Sequence, residues 1–183
     1  MLMSEKAAAK SKEERSANPM RDISIDKVIV NIGTGSDEQK QKNAKKLIET
    51  ITGVKPTDEI SKKRNPSFKI TKGSKIGAYA TVRKDPDRLI KRLLEAVDMK
   101  VKESSISNNT LSFGINEYID INGIKYDPTV GMLGMNVNVS FRRKGVRVAE
   151  RKVRNSRIPR KHRIIPREEI KDYLSKKLGV NFV

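Results

Sequence analysis

Residues 135–142, MNVNVSFR, alternate apolar and polar side chains along their whole length. Successive side chains of a β-strand point to opposite faces, so this period of two predicts a strand with one buried and one solvated face. The inward set would be Met135, Val137, Val139 and Phe141, and the outward set Asn136, Asn138, Ser140 and Arg142. Strands with one wet face are typical of antiparallel sheets.

Other segments repeat this pattern and predict further strands of the same sheet. IGAYATVR (76–83) places Tyr79, Thr81 and Arg83 on the solvated side, TLSFGI (110–115) alternates again, and KVIVNI (27–32) is a β-branched run before the turn GTG. FKIT (68–71) followed by KGS (72–74) predicts the first strand of a hairpin with a basic tip.

Three segments carry apolar residues at helical spacing: SDEQKQKNAKKLIETITG (36–53), DPDRLIKRLLEAVDMK (85–100) and REEIKDYLSKKLG (167–179). In the second, Asp85 is expected to cap the helix and Pro86 suits its first turn. These elements predict an α+β fold, a mainly antiparallel sheet with helices packed on one face and a polar opposite face. The basic clusters described below make that opposite face the expected RNA-binding face. Residues 18–183 would form a single domain of this kind.

Composition limits the class of protein. With 183 residues, 36% hydrophobic and 4% aromatic, the chain suits one core built from aliphatic side chains. Residues 1–17 are polar, lack the apolar segment of a signal peptide, and are expected to form a flexible tail. We therefore expect a cytoplasmic protein. The absence of cysteine excludes disulfides and cysteine-based metal sites.

Charge is the strongest compositional signal, with 40 lysines and arginines against 22 acids, a formal net charge of +18. Residues 61–84 hold eight cations and no acid, and residues 142–163 hold eleven cations against Glu150 alone. Local clusters of one sign are what a phosphate-tracking surface needs, whereas plain solvated loops are the alternative. Nucleic acid is favoured over a membrane surface, because the cations lie on predicted strands and loops rather than on one amphipathic helix.

Enzyme motifs are incomplete. VNIGTGSDE (30–38) begins like a dinucleotide-binding turn, but Glu38 stands where the third glycine belongs, and no P-loop motif occurs. His162 is the single histidine and has no triad or metal-binding motif around it. Asp85 and Asp87 flank Pro86 and are better explained by capping than by metal binding. We predict no catalytic residue, no metal and no cofactor.

Four motifs together resemble the universal large-subunit ribosomal protein five family, in its archaeal and eukaryotic form. They are KVIVNIGTG, SKKRNPSFKITKGSKIGAYATVR, SFGINEY and SRIPRKHRIIP. The resemblance extends over residues 18–183. It implies a structural component of the large subunit that binds 5S rRNA and neighbouring rRNA in the central protuberance, beside adjacent ribosomal proteins. It also implies a hairpin loop that contacts transfer RNA in the peptidyl site and an edge that joins a bridge to a small-subunit protein.

The resemblance assigns site residues by position. Asn31, the basic residues of SKKR and Thr81 look like the family's rRNA contacts, whereas Val54 departs from the glutamine of many members and leaves one expected RNA hydrogen bond in doubt. Together with the outward and basic residues above, the expected rRNA contacts are Asn31, Lys62, Lys63, Arg64, Thr81, Arg83, Asn138, Arg142, Arg157, Arg160, Lys161, His162 and Arg163. The expected transfer-RNA loop spans residues 68–77, with Phe68, Lys69, Lys72, Gly73, Ser74, Lys75 and Gly77.

Two other functions stay open at this point. A general nucleic-acid-binding architectural protein would share the charge but not the polar sheet face. A nucleotide-dependent enzyme would need a site at Gly33 to Ser36.

Overall fold

The computed structural model describes residues 18–183, so the predicted tail at residues 1–17 lies outside the described residues. The strands are β1 (Ile23–Gly33), β2 (Thr57–Ile60), β3 (Lys75–Val82), β4 (Lys100–Val101), β5 (Ile106–Ser107), β6 (Thr110–Ile115), β7 (Met135–Arg143) and β8 (Asn181–Phe182). The α-helices are α1 (Glu38–Thr52), α2 (Pro86–Glu95), α3 (Arg147–Glu150), α4 (Arg160–Arg163) and α5 (Arg167–Leu178). Short 3₁₀ turns lie at Pro19–Arg21, Pro66–Phe68, Glu103–Ser105, Tyr118–Asp120 and Lys144–Val146.

Six strands form one sheet in the order β2-β3-β1-β7-β6-β5, and every pairing in it is antiparallel. The long central strand β1 pairs with β3 on one side and with β7 on the other. A second, two-stranded sheet joins β4 and β8 in parallel near the chain end. The predicted α+β fold with a mainly antiparallel sheet is confirmed.

The core lies on one face of the six-stranded sheet. Val28, Val30 and Ile32 of β1 are fully buried, and so are the apolar stripes of the helices. These stripes are Leu47, Ile48 and Ile51 of α1, Ile90, Leu93 and Leu94 of α2, and Ile170 and Leu174 of α5. Tyr173 of α5 meets Phe141 of β7 edge to face, with ring centroids 6.0 Å apart. Because apolar side chains alternate with polar ones along these strands, the opposite face of the sheet carries the polar set.

Two local predictions were wrong. FKIT is not a strand: Pro66–Phe68 forms a 3₁₀ turn, and β3 pairs with β2 across the long loop 61–74. Pro66 has no N–H to give to a strand ladder, and Phe68 is 71% exposed instead of buried. Asp85 has a left-handed backbone (φ 47°) and its side chain makes no capping hydrogen bond, although Pro86 begins α2 as expected.

The other predicted elements are confirmed, with Asp37 capping α1 and left-handed Gly53 and Gly179 ending α1 and α5. None of the helices between residues 18 and 183 is both long and apolar enough to cross a membrane.

Candidate nucleic-acid interface

The face of the sheet opposite the core carries mainly short polar side chains. Strand register places Thr57, Tyr79, Asn31, Asn136 and Gly114 in one row across five strands. The neighbouring row contains Thr81, Ile29, Asn138 and Ser112. These two rows contain no acidic side chain, and Thr57, Ser112 and Asn136 in them are exposed to a partner. We call these two rows the open face.

Asn31 lies at the centre of the first row. Its side-chain oxygen Oδ1 is buried, and no donor in residues 18–183 hydrogen-bonds to it. A buried acceptor without a donor costs about 1–3 kcal/mol. The sequence had singled out Asn31, Thr81 and Asn138, and the structure brings these three together on the same face.

One edge of the sheet extends into loop 61–74, which is organised by its own hydrogen bonds. Ser61 and Ser74 join its two ends through a backbone bond of 2.9 Å, and Asn65 and Ile70 exchange backbone bonds of 2.9 and 3.0 Å nearer the tip. The side chains of Lys62, Lys63, Arg64, Lys69 and Lys72 are exposed, and within residues 18–183 no carboxylate lies within 4.0 Å of them. The loop is therefore a structured cationic projection with Phe68 exposed near its tip.

The residues of the predicted transfer-RNA loop are divided between loop 61–74 and β3. Residues 68–74 lie in the loop, but Lys75 and Gly77 belong to β3. Gly77 is buried, and a Cβ built on it would lie 2.6 Å from the carbonyl oxygen of Ile32, so this glycine is needed for strand packing.

Lys75 takes part in an ion cluster at the base of the loop. Its Nζ lies 3.2 Å from Oδ2 of Asp58, while Lys45 of α1 pairs with Oδ1 and Gln41 donates to the same oxygen at 3.1 Å. The hydrogen bond from Lys45, followed by that from Lys75, holds the pKa of Asp58 below its usual range, against the opposing effect of desolvation. The cluster ties α1 to both strands that carry the loop.

Residues 142–163, the second basic segment, contain some cations that are paired with carboxylates and others that are unpaired within residues 18–183. Arg142 lies 3.1 Å from Asp26 and 3.0 Å from Glu150, and Lys144 lies 3.1 Å from Asp22. Arg143, which the sequence does not distinguish from its neighbours, is buried, with Nη2 2.7 Å from Glu169. Arg142 thus reaches the sheet surface as expected, but its charge is already balanced by two carboxylates.

Residues 151–163 run over the surface and end in the short helix α4. The expected contacts Arg157, Arg160, Lys161, His162 and Arg163 are all exposed, and no carboxylate in residues 18–183 lies within 4.0 Å of them. Arg83, at the end of β3, is likewise exposed and unpaired within the described chain. Among residues 18–183, no cluster of three or more His, Cys, Asp or Glu side chains could hold a metal ion.

Sequence patterns missed part of the open face. Ser112 and Gly114 are exposed on β6, and Thr57 on β2, because strand register rather than local composition brings them beside Asn138, Asn136 and Tyr79. The alternation in TLSFGI was the signal that could have identified the first two.

Within residues 18–183, two adjacent acid-free rows of mainly polar side chains therefore lie beside the unpaired cations of loop 61–74, and this combination is a feature of nucleic-acid-binding proteins. A family model for ribosomal protein L5 matches residues 18–71, and a model for the C-terminus of the same ribosomal family matches residues 75–181. The large ribosomal subunit protein uL5 of Sulfurisphaera tokodaii is 37% identical over 173 residues, which cover 93% of this chain and 98% of that protein. The proteins of the same name from Methanobrevibacter smithii and Nanoarchaeum equitans are 38% and 39% identical, each over 91% of this chain and 98% and 99% of their own length.

The chain belongs to the ribosomal protein L5 family. The resemblance identified from the sequence is confirmed, and so is the expectation that the chain is a ribosomal protein of archaeal type and not an enzyme.

Proposed function

We propose that the protein is a structural component of the large ribosomal subunit that binds 5S rRNA in the central protuberance through the open face. The observation that carries this proposal is the acid-free pair of rows centred on Asn31, with the free cations Lys62, Lys63 and Arg64 of loop 61–74 beside it. Short amides and hydroxyls suit ribose 2′-hydroxyls and shallow-groove edges, while the cations suit phosphates. Family membership supports the same partner, together with a place on the cytoplasmic ribosome.

Filter binding tests this function. Labelled 5S rRNA should bind the full chain with an affinity that falls as salt rises, by roughly a thousandfold between ~50 and ~200 mM if about six phosphates are contacted. Unlabelled 5S rRNA should displace the label far more effectively than an equal mass of duplex DNA. Equal competition by the two would instead support a general nucleic-acid-binding architectural protein, which is the second candidate function.

We further propose that residues 68–74 of loop 61–74 contact transfer RNA in the peptidyl site. Internal hydrogen bonds hold the loop backbone in place, and Phe68, Lys69 and Lys72 are exposed on it, so these residues can meet a second RNA while the open face holds the first. The double change Lys69→Ala/Lys72→Ala should leave 5S rRNA affinity within about twofold and weaken transfer-RNA binding on assembled subunits. Lys75 is unsuitable for this test because its ammonium group is paired with Asp58. Loss of 5S rRNA binding in the double variant would show that the loop belongs to the first interface.

Contacts with adjacent proteins of the central protuberance, and with a small-subunit protein across an intersubunit bridge, are proposed on family grounds. Crosslinking of the protein in intact ribosomes, with the attached peptides identified by mass spectrometry, tests both. Crosslinks to large-subunit RNA alone would contradict the bridge.

A further inference from the structure

The strongest unassigned feature is a cleft between the second basic segment and the β5–β6 turn. Its lining combines apolar and cationic groups in one concavity. The apolar members are Ala149, Ile158, Pro159 and Ile164, and the polar ones are Asn109, Asn155, Ser156, Arg157, Arg160 and Arg163. We call this the arginine cleft. Neither the ion pairs nor the packing of the core explains why three arginines gather around exposed apolar surface.

Hydrogen bonds fix both ends of the segment that forms the arginine cleft. At one end the backbone N–H of Ser156 donates to the carbonyl of Val148 at 3.2 Å. At the other, Asn109 donates from Nδ2 to the carbonyl of Arg163 at 2.9 Å and accepts the N–H of Ile165 at Oδ1, at 2.8 Å. Asn109 holds this position from a left-handed backbone, φ 66°. The cleft is therefore preformed, and binding of a ligand loses little conformational entropy in ordering this segment.

The guanidinium groups around the cleft carry uncompensated charge. Within residues 18–183 no carboxylate lies within 4.0 Å of Arg157, Arg160 or Arg163, in contrast to Arg142 and Arg143 in the same segment. The side chain of Asn155 is exposed and makes no hydrogen bond within the described chain. Three unpaired arginines can bind an anion, and the unpaired amide of Asn155 can hydrogen-bond to a polar group of the same ligand.

We propose that the arginine cleft receives one unpaired nucleotide of the bound RNA. Its phosphate would be held by Arg157, Arg160 and Arg163, and its base would pack on Ile158 and the neighbouring apolar groups. The phosphates of a continuous duplex would contact the arginines but would place no base against the apolar lining. An unstacked nucleotide would make both contacts. This inference rests on the proposed RNA-binding function and names a second point of contact, distinct from the open face.

The test is an amide-resolved NMR titration of the full chain with three probes: adenosine 5′-monophosphate, inorganic phosphate and adenosine. The nucleotide should shift the amides of Asn155, Ile158 and Ile164 and bind at least about fivefold more tightly than inorganic phosphate, since packing of the base against the apolar lining removes apolar surface from water. Adenosine, which has no phosphate for the arginines to hold, should bind more weakly than the nucleotide. Equal affinity for nucleotide and inorganic phosphate, or shifts elsewhere only, would overturn the proposal.

Matched variants separate the two kinds of contact. Arg160→Ala should weaken both nucleotide and phosphate, while Ile158→Ala should reduce the preference for nucleotide over phosphate and leave phosphate binding unchanged. Lys152→Ala removes an exposed cation of the same segment that does not line the cleft, and it should leave nucleotide binding within about twofold. Equal effects of Lys152→Ala and Arg160→Ala would show a diffuse charge effect and overturn the site.

Filter binding of 5S rRNA to the same variants distinguishes this inference from the proposed function. If wild-type protein binds 5S rRNA but no nucleotide enters the cleft, the inference fails and the function stands. If 5S rRNA does not bind specifically, the proposed function fails, whatever the cleft binds.

Discussion

Two pairs of basic residues with different surroundings allow the electrostatic account to be tested quantitatively. Lys62 and Lys63 are exposed and unpaired within residues 18–183, whereas Arg142 and Lys144 each lie within 3.1 Å of carboxylates. The double changes Lys62→Gln/Lys63→Gln and Arg142→Gln/Lys144→Gln remove the same formal charge. Only the first pair is free to displace counterions from RNA phosphates.

The expected size of the effect follows from counterion release. Each neutralised phosphate contributes about 0.7 to 0.9 to the slope of log affinity against log salt, so loss of Lys62 and Lys63 should lower its magnitude by roughly 1.4 to 1.8. Between ~50 and ~200 mM salt, the affinity ratio of wild type to this variant should therefore shrink roughly 7- to 12-fold. For the Arg142→Gln/Lys144→Gln variant, the slope of log affinity against log salt should equal that of the wild-type protein.

Filter binding of 5S rRNA across that salt range measures both slopes, and thermal unfolding controls for folding. The second variant loses partly exposed ion pairs worth about 0.2–1 kcal/mol each, so it should unfold at a slightly lower temperature. An equal fall in slope for the two variants would refute the reasoning, because it would mean that internal ion pairing does not decide which cations meet RNA.

Two further predictions concern stability. Gly77→Ala should lower the free energy of unfolding by about 1–3 kcal/mol, because the new Cβ would meet the Ile32 carbonyl oxygen. Gly33→Ala is the control and should cost far less, since no atom lies within 4 Å of the Cβ position of Gly33. Equal losses of stability in chemical denaturation would contradict this account of strand packing. Asp58→Asn should cost roughly 1 kcal/mol at neutral pH. Because the folded pKa of Asp58 is lowered, its contribution is complete above the unfolded pKa and is lost as pH falls through the folded one, so wild type and variant should converge in acid-denaturation curves below about pH 4. A constant difference down to about pH 2 would be inconsistent with an ionised Asp58.

Periodicity predicted the sheet and helices well because a half-buried element must repeat its apolar residues at the spacing of its geometry. The alternation in MNVNVSFR gave both faces of β7, and the stripe through Ile90, Leu93 and Leu94 gave the buried side of α2. The same reasoning failed at FKIT, because a 3₁₀ turn that begins at Pro66 includes Phe68, and Phe68 is exposed and does not pack in the core. Asn31 was found through the family resemblance, and only strand register shows why it stands at the centre of the open face.

Local sequence could not show which cations are free. Arg142 and Arg143 follow one another in a stretch that looks uniformly basic, but their partners Asp26 and Glu169 come from distant parts of the chain. Within residues 18–183 the cations in loop 61–74 have no such acids near them, although Lys75 at its base is balanced by Asp58. Which cations of each segment remain available to bind RNA therefore depends on the fold, which brings carboxylates from other parts of the chain beside some of them.

The most direct test of the central claim compares one added negative charge on each side of the sheet. Asn136→Glu places a carboxylate on the exposed first row of the open face, and Thr50→Glu places one on the exposed side of α1, across the core from it. If the open face binds 5S rRNA, Asn136→Glu should weaken filter-measured affinity by at least about tenfold through like-charge repulsion, and Thr50→Glu should leave it within about twofold. Equal affinities for the two variants, both folded, would contradict the account.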